Sequence, residues 1–469
     1  MDTRETALSL FMEMEKTGAY GSALLKDTLD KYDYEELRDK AFLKRLAEGT
    51  MEKRITLDWV IDRYSKTPVK KMKPLIRSLL RLSAYQILYM DSVPDAVACS
   101  EAVRLAKKRG FSSLSGFVNG VLRSIARGKN DIAWPDPEQE PVKALSVKYS
   151  LPEWMIGLWR QQYGAERCER LLAAMEQRRP MTIRFSEKLS EAETEEAVER
   201  IRRTGVFVRR HDFYPKAWVL DGCEGAASLP GFAEGLFYVQ DVSSMTAVLA
   251  AGIRTGMRVM DLCAAPGGKA TFAAQLCAGD GSGKKGVSAA DGQQPAGGAV
   301  LAGDVSEQKV RLIRENAERL GIGNLETRVW DASVFMEEYR ETADVVLLDV
   351  PCSGLGVMNR KKDIRYRVTR QDLDDLACLQ KRIIDACWQY VKPGGILLYS
   401  TCTVDRLENE DMVDYITGNY PFTAESMDGF VPQAFVCEET KEGRLQLFCG
   451  EKDTDGFFMA RLRRKGKDG

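Results

Sequence analysis

Apolar positions in the first quarter of the chain recur in threes and fours. "SALLKDTLDKY", "AFLKRLAEGTMEKRITLDWVIDRY" and "PLIRSLLRLSAYQILYM" follow the i, i+3, i+4 rhythm, with few β-branched runs and with Pro74 and Pro94 placed as helix starters. Residues 3 to 127 therefore predict an all-helical bundle. Its last two helices lie in "VPDAVACSEAVRLAKKRGFSSLSGFVNGVLRSI" and break between Gly110 and Ser115. The stretch 128 to 141 crowds Pro135, Pro137 and Pro141 together and reads as a linker.

Helical periodicity returns over residues 142 to 178. From "RPMTIRFS" through "VFVRR" and "AWVLDG" short alternating strands flank one charged helix, "EAETEEAVERIRR", giving a small α+β unit that ends near Glu234. From Leu236 the rhythm changes to strand, loop, helix. "RVMDLCA", "AVLAGDVS", "LETRVWDAS", "ADVVLLDVP", "GGILLYSTC" and "GFFMARLRR" are six strand candidates, several of them continuously apolar, and helical stretches separate the early ones. That alternation predicts an open, doubly wound parallel sheet. Residues 277 to 300 are glycine-rich without a period and are expected to form a flexible, functionally silent insertion.

Composition adds exclusions. The chain has 469 residues, which at roughly 150 residues per domain suggests about three domains. It contains no apolar run of 18 residues and no cationic-then-apolar leader, so a soluble, cytoplasmic protein without membrane contact is expected. Its 11 cysteines are odd in number and form no CxxC pair, so they are read as reduced thiols. With the single histidine His211, read as an ordinary surface residue, neither a histidine-rich metal site nor a supported Ser-His-Asp triad can be built. Acid and base work falls to carboxylates, thiols or lysines. Residues 1 to 130 carry 24 Lys and Arg against 17 Asp and Glu, whereas the remainder carries 44 against 52. The basic N-terminal third raises the odds of a phosphate-rich partner.

"DLCAAPGGKAT" occupies the first strand-to-helix turn, where a doubly wound sheet binds its ligand. It is not a P-loop, because the first glycine of that motif would fall on Cys263, and it is not GxGxxG. It suits a smaller nucleotide that approaches the backbone at Gly267 and Gly268. Asp304, ending the second strand, can accept from a ribose diol, and Asp331, ending the third, from an adenine amino group. Each alone reads as well as a helix N-cap.

Asp349 ends the fourth strand, with Cys352 close behind it, and Cys402 ends the fifth. Neighbouring strands lie about 4.8 Å apart, so two thiols and one carboxylate can face one bound group. Carbon 5 of cytosine needs such a set. A thiolate adds to carbon 6, carbon 5 becomes an enamine that can take an activated methyl, and a protonated carboxyl at ring nitrogen 3 stabilises the developing charge. Taken singly, each cysteine reads as a buried structural thiol. Cys263, Cys277, Cys378 and Cys387 keep that reading, packed on strand or helix faces.

"RETALSLFMEM", "VPDAVACSEAVRLAKK" and "GFVNGVLRSI" resemble the NusB family of helical RNA-binding proteins. Phe117, Val121 and Leu122 are read there as core, and Arg4, Lys107, Lys108 and Arg123 as candidates for phosphate contact. "DLCAAPGGK", "DVPCSG", "YSTCT" and "DGFFMARL" resemble the RNA 5-methylcytosine methyltransferases of the NOL1/NOP2/Sun (RsmB/NOP) family. Together the two resemblances cover most of the chain and point to 16S ribosomal RNA as substrate. They imply S-adenosyl-L-methionine as cofactor, held by Cys263, Ala264, Ala265, Pro266, Gly267, Gly268, Lys269, Asp304, Asp331 and Asp349. Cys402 is implied as nucleophile, Cys352 as the thiol that assists release, and Asp349 as the acid between cofactor and base. Lys269 is read either as orienting an active-site carboxylate or the cofactor, or as a cap.

"RPMTIRFS", "YVQDVSS" and "GLGVMNRKKDIRYR" resemble further segments of that family, making Arg184, Gln240, Asp241, Arg360, Lys361 and Arg365 candidates for RNA contact or active-site support. The family has an asparagine near Ser186 and a histidine-proline pair near Lys361 and Lys362, which this chain lacks. The expected organisation is thus a multidomain chain. Residues 1–130 form an all-α NusB-like RNA-binding domain, 142–235 a helical linker with a small α+β, RRM-like region, and 236–469 an α/β Rossmann-like class I methyltransferase. The partner is RNA, the chain is expected to be monomeric, and no metal is expected. Transfer RNA as substrate, a non-enzymatic antitermination factor and a DNA cytosine methyltransferase that attacks through Cys352 are the competing readings.

Overall fold

The computed structural model describes residues 2–18, 21–31, 37–177, 179–223, 225–278 and 298–466, without the side chains of 22, 23, 30, 31 and 37. Positions 279–297 of the expected insertion lie outside the described residues. The chain divides into two compact units, residues 1–176 with 358–368, and residues 177–357 with 369–469.

The first unit is helical throughout its regular elements. Pro74 occupies the first turn of the helix Pro74–Tyr89, where its missing N–H costs nothing, and Ile76, Leu79, Leu80 and Ile87 of that helix enter the core. Ser115–Gly128 buries Val118, Val121, Leu122 and Ile125, one face at 3.6-residue spacing, as the sequence rhythm requires. Phe117 packs half-buried on the same core. Arg81 forks onto Asp58 with contacts of 2.6 and 2.7 Å.

Residues 358–368 belong to this unit although they follow the Cys352 loop in sequence. Arg365 is 2% exposed, directs Nη1 at the Glu52 and Tyr149 carbonyls and lies 3.6 Å from the Glu52 carboxylate. Tyr366 donates to the Glu52 carbonyl at 2.7 Å, and Lys362 pairs with the Glu52 carboxylate at 2.6 Å. Arg365 is therefore a packing group and not an exposed RNA contact. Arg360 and Lys361 are exposed.

The second unit holds two sheets. The smaller consists of β1 (Met181–Phe185), β2 (Phe207–Arg210), β3 (Ala217–Asp221) and β4 (Phe237–Val239), all antiparallel in the order β2-β3-β1-β4. The helix Glu191–Arg202, closed at its N-terminus by a Ser190–Glu193 capping box, buries Ala197, Val198 and Ile201. His211, expected at the surface, is 3% exposed and accepts from the Phe213 amide through Nδ1.

The larger sheet comprises β5 (Arg258–Asp261), β6 (Ala299–Asp304), β7 (Leu325–Val329), β8 (Ala343–Asp349), β9 (Val391–Thr401), β10 (Phe422–Ala424), β11 (Arg444–Leu447) and β12 (Phe457–Arg464). Its order is β10-β12-β9-β8-β5-β6-β7, with β11 paired to β12. β5 to β9 run parallel, and the apolar runs of β8 and β9 are buried on both faces. The sheet is not parallel throughout. β12 runs in reverse beside β9, and β10 and β11 each pair antiparallel with β12. After β5 the chain builds outward through β6 and β7, then returns to β8 on the other side. That reversal opens a crevice at the carboxyl ends of the strands beside β5.

Candidate active site

Three features shape the turn after β5. The Ala265–Pro266 peptide is cis, Gly267 has φ 106°, a region that favours glycine, and a Cβ on Gly268 would come 3.0 Å from Tyr238. The turn borders a cleft of about 210 Å3 whose lining includes Tyr238, Gln240, Asp241, Asp261, Lys269 and Asp349. Cys263, Ala264, Ala265, Pro266 and Gly268 also line it. Asp304 holds the turn from behind, accepting from the Ala265 amide at 3.1 Å and from Lys309 at 3.0 Å. It is not the cap of the following helix, since Ser306 caps Glu307–Arg319. Asp331 is not among the residues lining the cleft. It is exposed at the end of β7 and accepts from the Ser333 amide and hydroxyl, which lower its pKa.

Asp261 was missed by motif reading, although it opens the quoted turn. Its side chain is fully buried, neither oxygen makes a hydrogen bond of good geometry, and burial pushes its carboxyl up to about 7 against the pull of Lys269. A buried, unpartnered carboxylate facing a cleft is a place where a ligand donor fits. Val305, 60% exposed beside Asp304, adds unpartnered apolar surface at the adjacent strand end. These groups suit a nucleoside carrying a cationic tail.

Register brings the chemistry together. β8 and β9 set Asp349 opposite Ser400, so the residues that follow each strand emerge side by side. Ser400 donates to Asp349 Oδ1 at 2.8 Å, and Lys269 donates to Oδ2 at 2.8 Å. Burial alone would lower the Lys269 pKa, but Asp349 and then Asp261 outweigh it and the ammonium is held charged. Lys269 thus fixes the orientation of the Asp349 carboxylate.

Cys352 and Cys402 lie with their sulfurs 3.2 Å apart, and the Cys402 amide donates to Cys352 Sγ at 3.3 Å. The hydrogen bond to Cys402, followed by burial, pushes the Cys352 thiol well above its ordinary value. Cys352 therefore keeps its proton, in a hydrogen bond shared between the two sulfurs. Two glycines permit this approach. A Cβ on Gly356 would meet the Gly456 carbonyl at 2.2 Å and the Cys402 carbonyl at 2.8 Å.

Of the other cysteines, Cys277 and Cys387 are buried as expected and burial holds Cys263 as a thiol, but Cys378 is exposed. Arg184 is a structural group and not an RNA contact. It is 1% exposed, stacks 4.1 Å from the Phe272 ring centre and donates to Gln240 at 2.9 Å and Gln275 at 2.5 Å. Gln240 and Asp241 border the cleft. In the helical unit Lys107 and Arg123 are exposed, while Lys108 pairs with Glu5 at 2.6 Å and Arg4 donates to Gln86 at 2.7 Å. Among the described residues no cluster of metal-ligating side chains occurs, and no helix is long and apolar enough to cross a membrane.

Comparison with known proteins agrees with this architecture. A family described as 16S rRNA methyltransferase RsmB/F matches residues 248–463, the NusB family matches 1–127, and the RsmF/B-like ferredoxin-like domain matches 151–224. The probable ribosomal RNA small subunit methyltransferase B of Bacillus subtilis (strain 168) is 34% identical over 467 residues, 99% of each chain. The crystal structure of PH0851 shares the fold at 24% identity, with a TM-score of 0.78 over 98% of both chains. A methyltransferase homolog from Pyrococcus horikoshii is 27% identical, with a TM-score of 0.55, covering 69% of this chain and 99% of that one. With a NusB-like helical domain, a ferredoxin-like domain and a methyltransferase sheet in one chain, the protein belongs to the RsmB/F family of S-adenosylmethionine-dependent 16S ribosomal RNA methyltransferases.

Proposed function

We propose that the protein methylates carbon 5 of one cytosine in 16S ribosomal RNA through a covalent adduct between Cys402 and carbon 6. The observation that carries the reading is the pair of sulfurs 3.2 Å apart beside the Lys269–Asp349 ion pair. One thiol at a strand end is commonly packing; two in contact at neighbouring strand ends, next to a charged pair and a nucleotide-sized cleft, form a reaction centre.

S-adenosylmethionine, when bound, supplies an electrophilic methyl group. The turn from Cys263 through Lys269, with Asp261, Asp304 and Asp349, would hold it; Asp331, expected at the adenine edge, would have to turn from Ser333 to reach it. The Cys352 S–H bond stabilises Cys402 as thiolate, the form that attacks carbon 6. As that bond forms, the electrons of the 5,6 double bond move to carbon 5 and charge grows on the pyrimidine edge. The Lys269–Asp349 pair offers that edge a hydrogen-bonding partner of fixed orientation.

Once Cys402 is bound in a thioether it no longer holds the Cys352 proton, and the Cys352 pKa falls. Cys352 can then lose its proton to solvent and, as thiolate, take the carbon-5 proton. The 5,6 double bond re-forms as Cys402 leaves as thiolate. Residues 1–130 and 142–235 would hold the RNA, since they contain the NusB match at 1–127 and the ferredoxin-like match at 151–224 and none of them lines the cleft.

Incubation with S-adenosylmethionine and unmodified small-subunit ribosomal RNA, followed by bisulfite sequencing, tests the reading. A single protected cytosine is the expected result. Methylation on another base, or at another atom of cytosine, contradicts it.

A further inference from the structure

Cys402 continues a strand that is paired on both sides, whereas Cys352 stands on a loop three residues beyond the end of β8. Something other than sheet pairing must hold the second thiol in place. Glu408, absent from the motifs and fully buried, occupies that position.

The Glu408 carboxylate accepts from the Ser353 amide at 2.9 Å, from the Ser353 hydroxyl, and from Gln380 Nε2 at 2.9 Å. The same Gln380 nitrogen donates to the Pro351 carbonyl at 2.9 Å, so the residues on both sides of Cys352 are tied to one carboxylate. Ser353 Oγ also meets Thr403 Oγ1 at 2.7 Å, and Tyr399 donates to the Glu408 carbonyl at 2.6 Å. Those contacts reach the residues around Cys402. Burial pushes the Glu408 carboxyl up to about 7, against the pull of its hydrogen bonds from Ser353 and Gln380.

We propose that Glu408 is a positioning residue of the release step, a clamp that sets where Cys352 stands relative to Cys402. The inference rests on the two-thiol reading above. The sheet holds Cys402 without Glu408, so loss of the clamp slows proton removal and elimination more than it slows attack on carbon 6. Defective folding would abolish the adduct; a lost clamp makes it accumulate.

The test compares the full-length wild type with Glu408→Ala, Glu408→Gln, Ser353→Ala and Cys352→Ser on small-subunit ribosomal RNA with S-adenosylmethionine. Adduct is read on denaturing gels and turnover by methyl incorporation, with cofactor binding as the folding control. Glu408→Ala is expected to slow turnover roughly 10- to 100-fold, the usual cost of a small misplacement of a reacting group, while adduct accumulates. Glu408→Gln keeps one acceptor oxygen for Ser353 and Gln380 and is expected to restore most turnover. Should Glu408→Ala fail to bind cofactor, Ser353→Ala, which removes the hydroxyl link to Glu408 and Thr403, decides with a smaller accumulation. Wild-type turnover, equal defects in the Ala and Gln variants, or parallel loss of adduct and turnover with cofactor still bound would overturn the clamp. Adduct in Cys352→Ser isolates such a failure to the clamp; no adduct there overturns the two-thiol reading itself.

Discussion

The two halves of the sheet's carboxyl edge are built differently. Around β8 and β9 the polar groups close on one another. Ser353, Thr403, Glu408, Gln380 and Tyr399 form a buried network, and Thr401 and Asn409 extend it with a 2.6 Å contact. Around β5, β6 and β7 the edge is left open, with both oxygens of Asp261 unpartnered, Val305, Val329 and Val334 exposed, and Asp331 turned to its own Ser333. The closed half holds thiols whose separation has to be fixed before substrate arrives; the open half has groups that a small ligand can satisfy. On the proposed mechanism, preorganisation sits where bonds would be made, and unsatisfied polarity where the cofactor would bind.

The largest expected effect falls on the closed half. Cys402→Ser should abolish the covalent adduct and reduce methylation roughly ten-thousandfold or more, read by methyl incorporation into small-subunit RNA. Asp349→Asn cannot form the ion pair with Lys269 and should cost roughly 100- to 1,000-fold in kcat, within the range seen when one electrostatic group is removed from a preorganised site. Gly356→Ala pushes a methyl group into the Gly456 and Cys402 carbonyls and should cost roughly 100-fold in turnover while cofactor affinity is unchanged. If affinity fell with turnover, the two halves would not be separable.

On the open half, Asp261→Asn should weaken S-adenosylmethionine binding roughly tenfold by calorimetry. It also changes pH dependence. The folded wild type retains the Asp261 proton up to about pH 7, whereas the ordinary value is 3.8, so its stability falls as pH rises between those values. The Asn variant loses that slope. Its melting temperature should exceed that of the wild type at pH 8, by the equivalent of a few kcal/mol at most, and the difference should shrink toward pH 5. The smallest catalytic effect belongs to Arg365→Ala, which removes a buried partner of Glu52. It should lower the melting temperature and leave the salt dependence of RNA binding unchanged.

Periodicity made the helical bundle and the strand-helix alternation readable, because each depends on one face per element. The antiparallel strands at the far edge were not readable, since apolar strands of the β12 kind look the same in either direction. Asp349, Lys269, Cys352 and Cys402 were readable as candidates because a turn motif follows each strand, and register explains their meeting. Of the two roles open to Arg184 and Arg365, exposed RNA contact or support of the site, burial favours support. An arginine beside a motif reads as a phosphate contact, and only the partners supplied by distant segments, Gln275 for one and Glu52 for the other, show that it is buried. Glu408 and Asp261 stayed unseen because a buried carboxylate leaves no local pattern. Its value to the site comes from residues that the fold brings to it.

The most direct test of the central claim is to map the RNA-linked peptide that accumulates in the Cys352→Ser variant with unmethylated small-subunit RNA and S-adenosylmethionine. RNA bonded to the peptide carrying Cys402, with none in Cys402→Ser, is the outcome the account requires. RNA bonded elsewhere, or equal trapping by both variants, would contradict the division of labour between the two thiols.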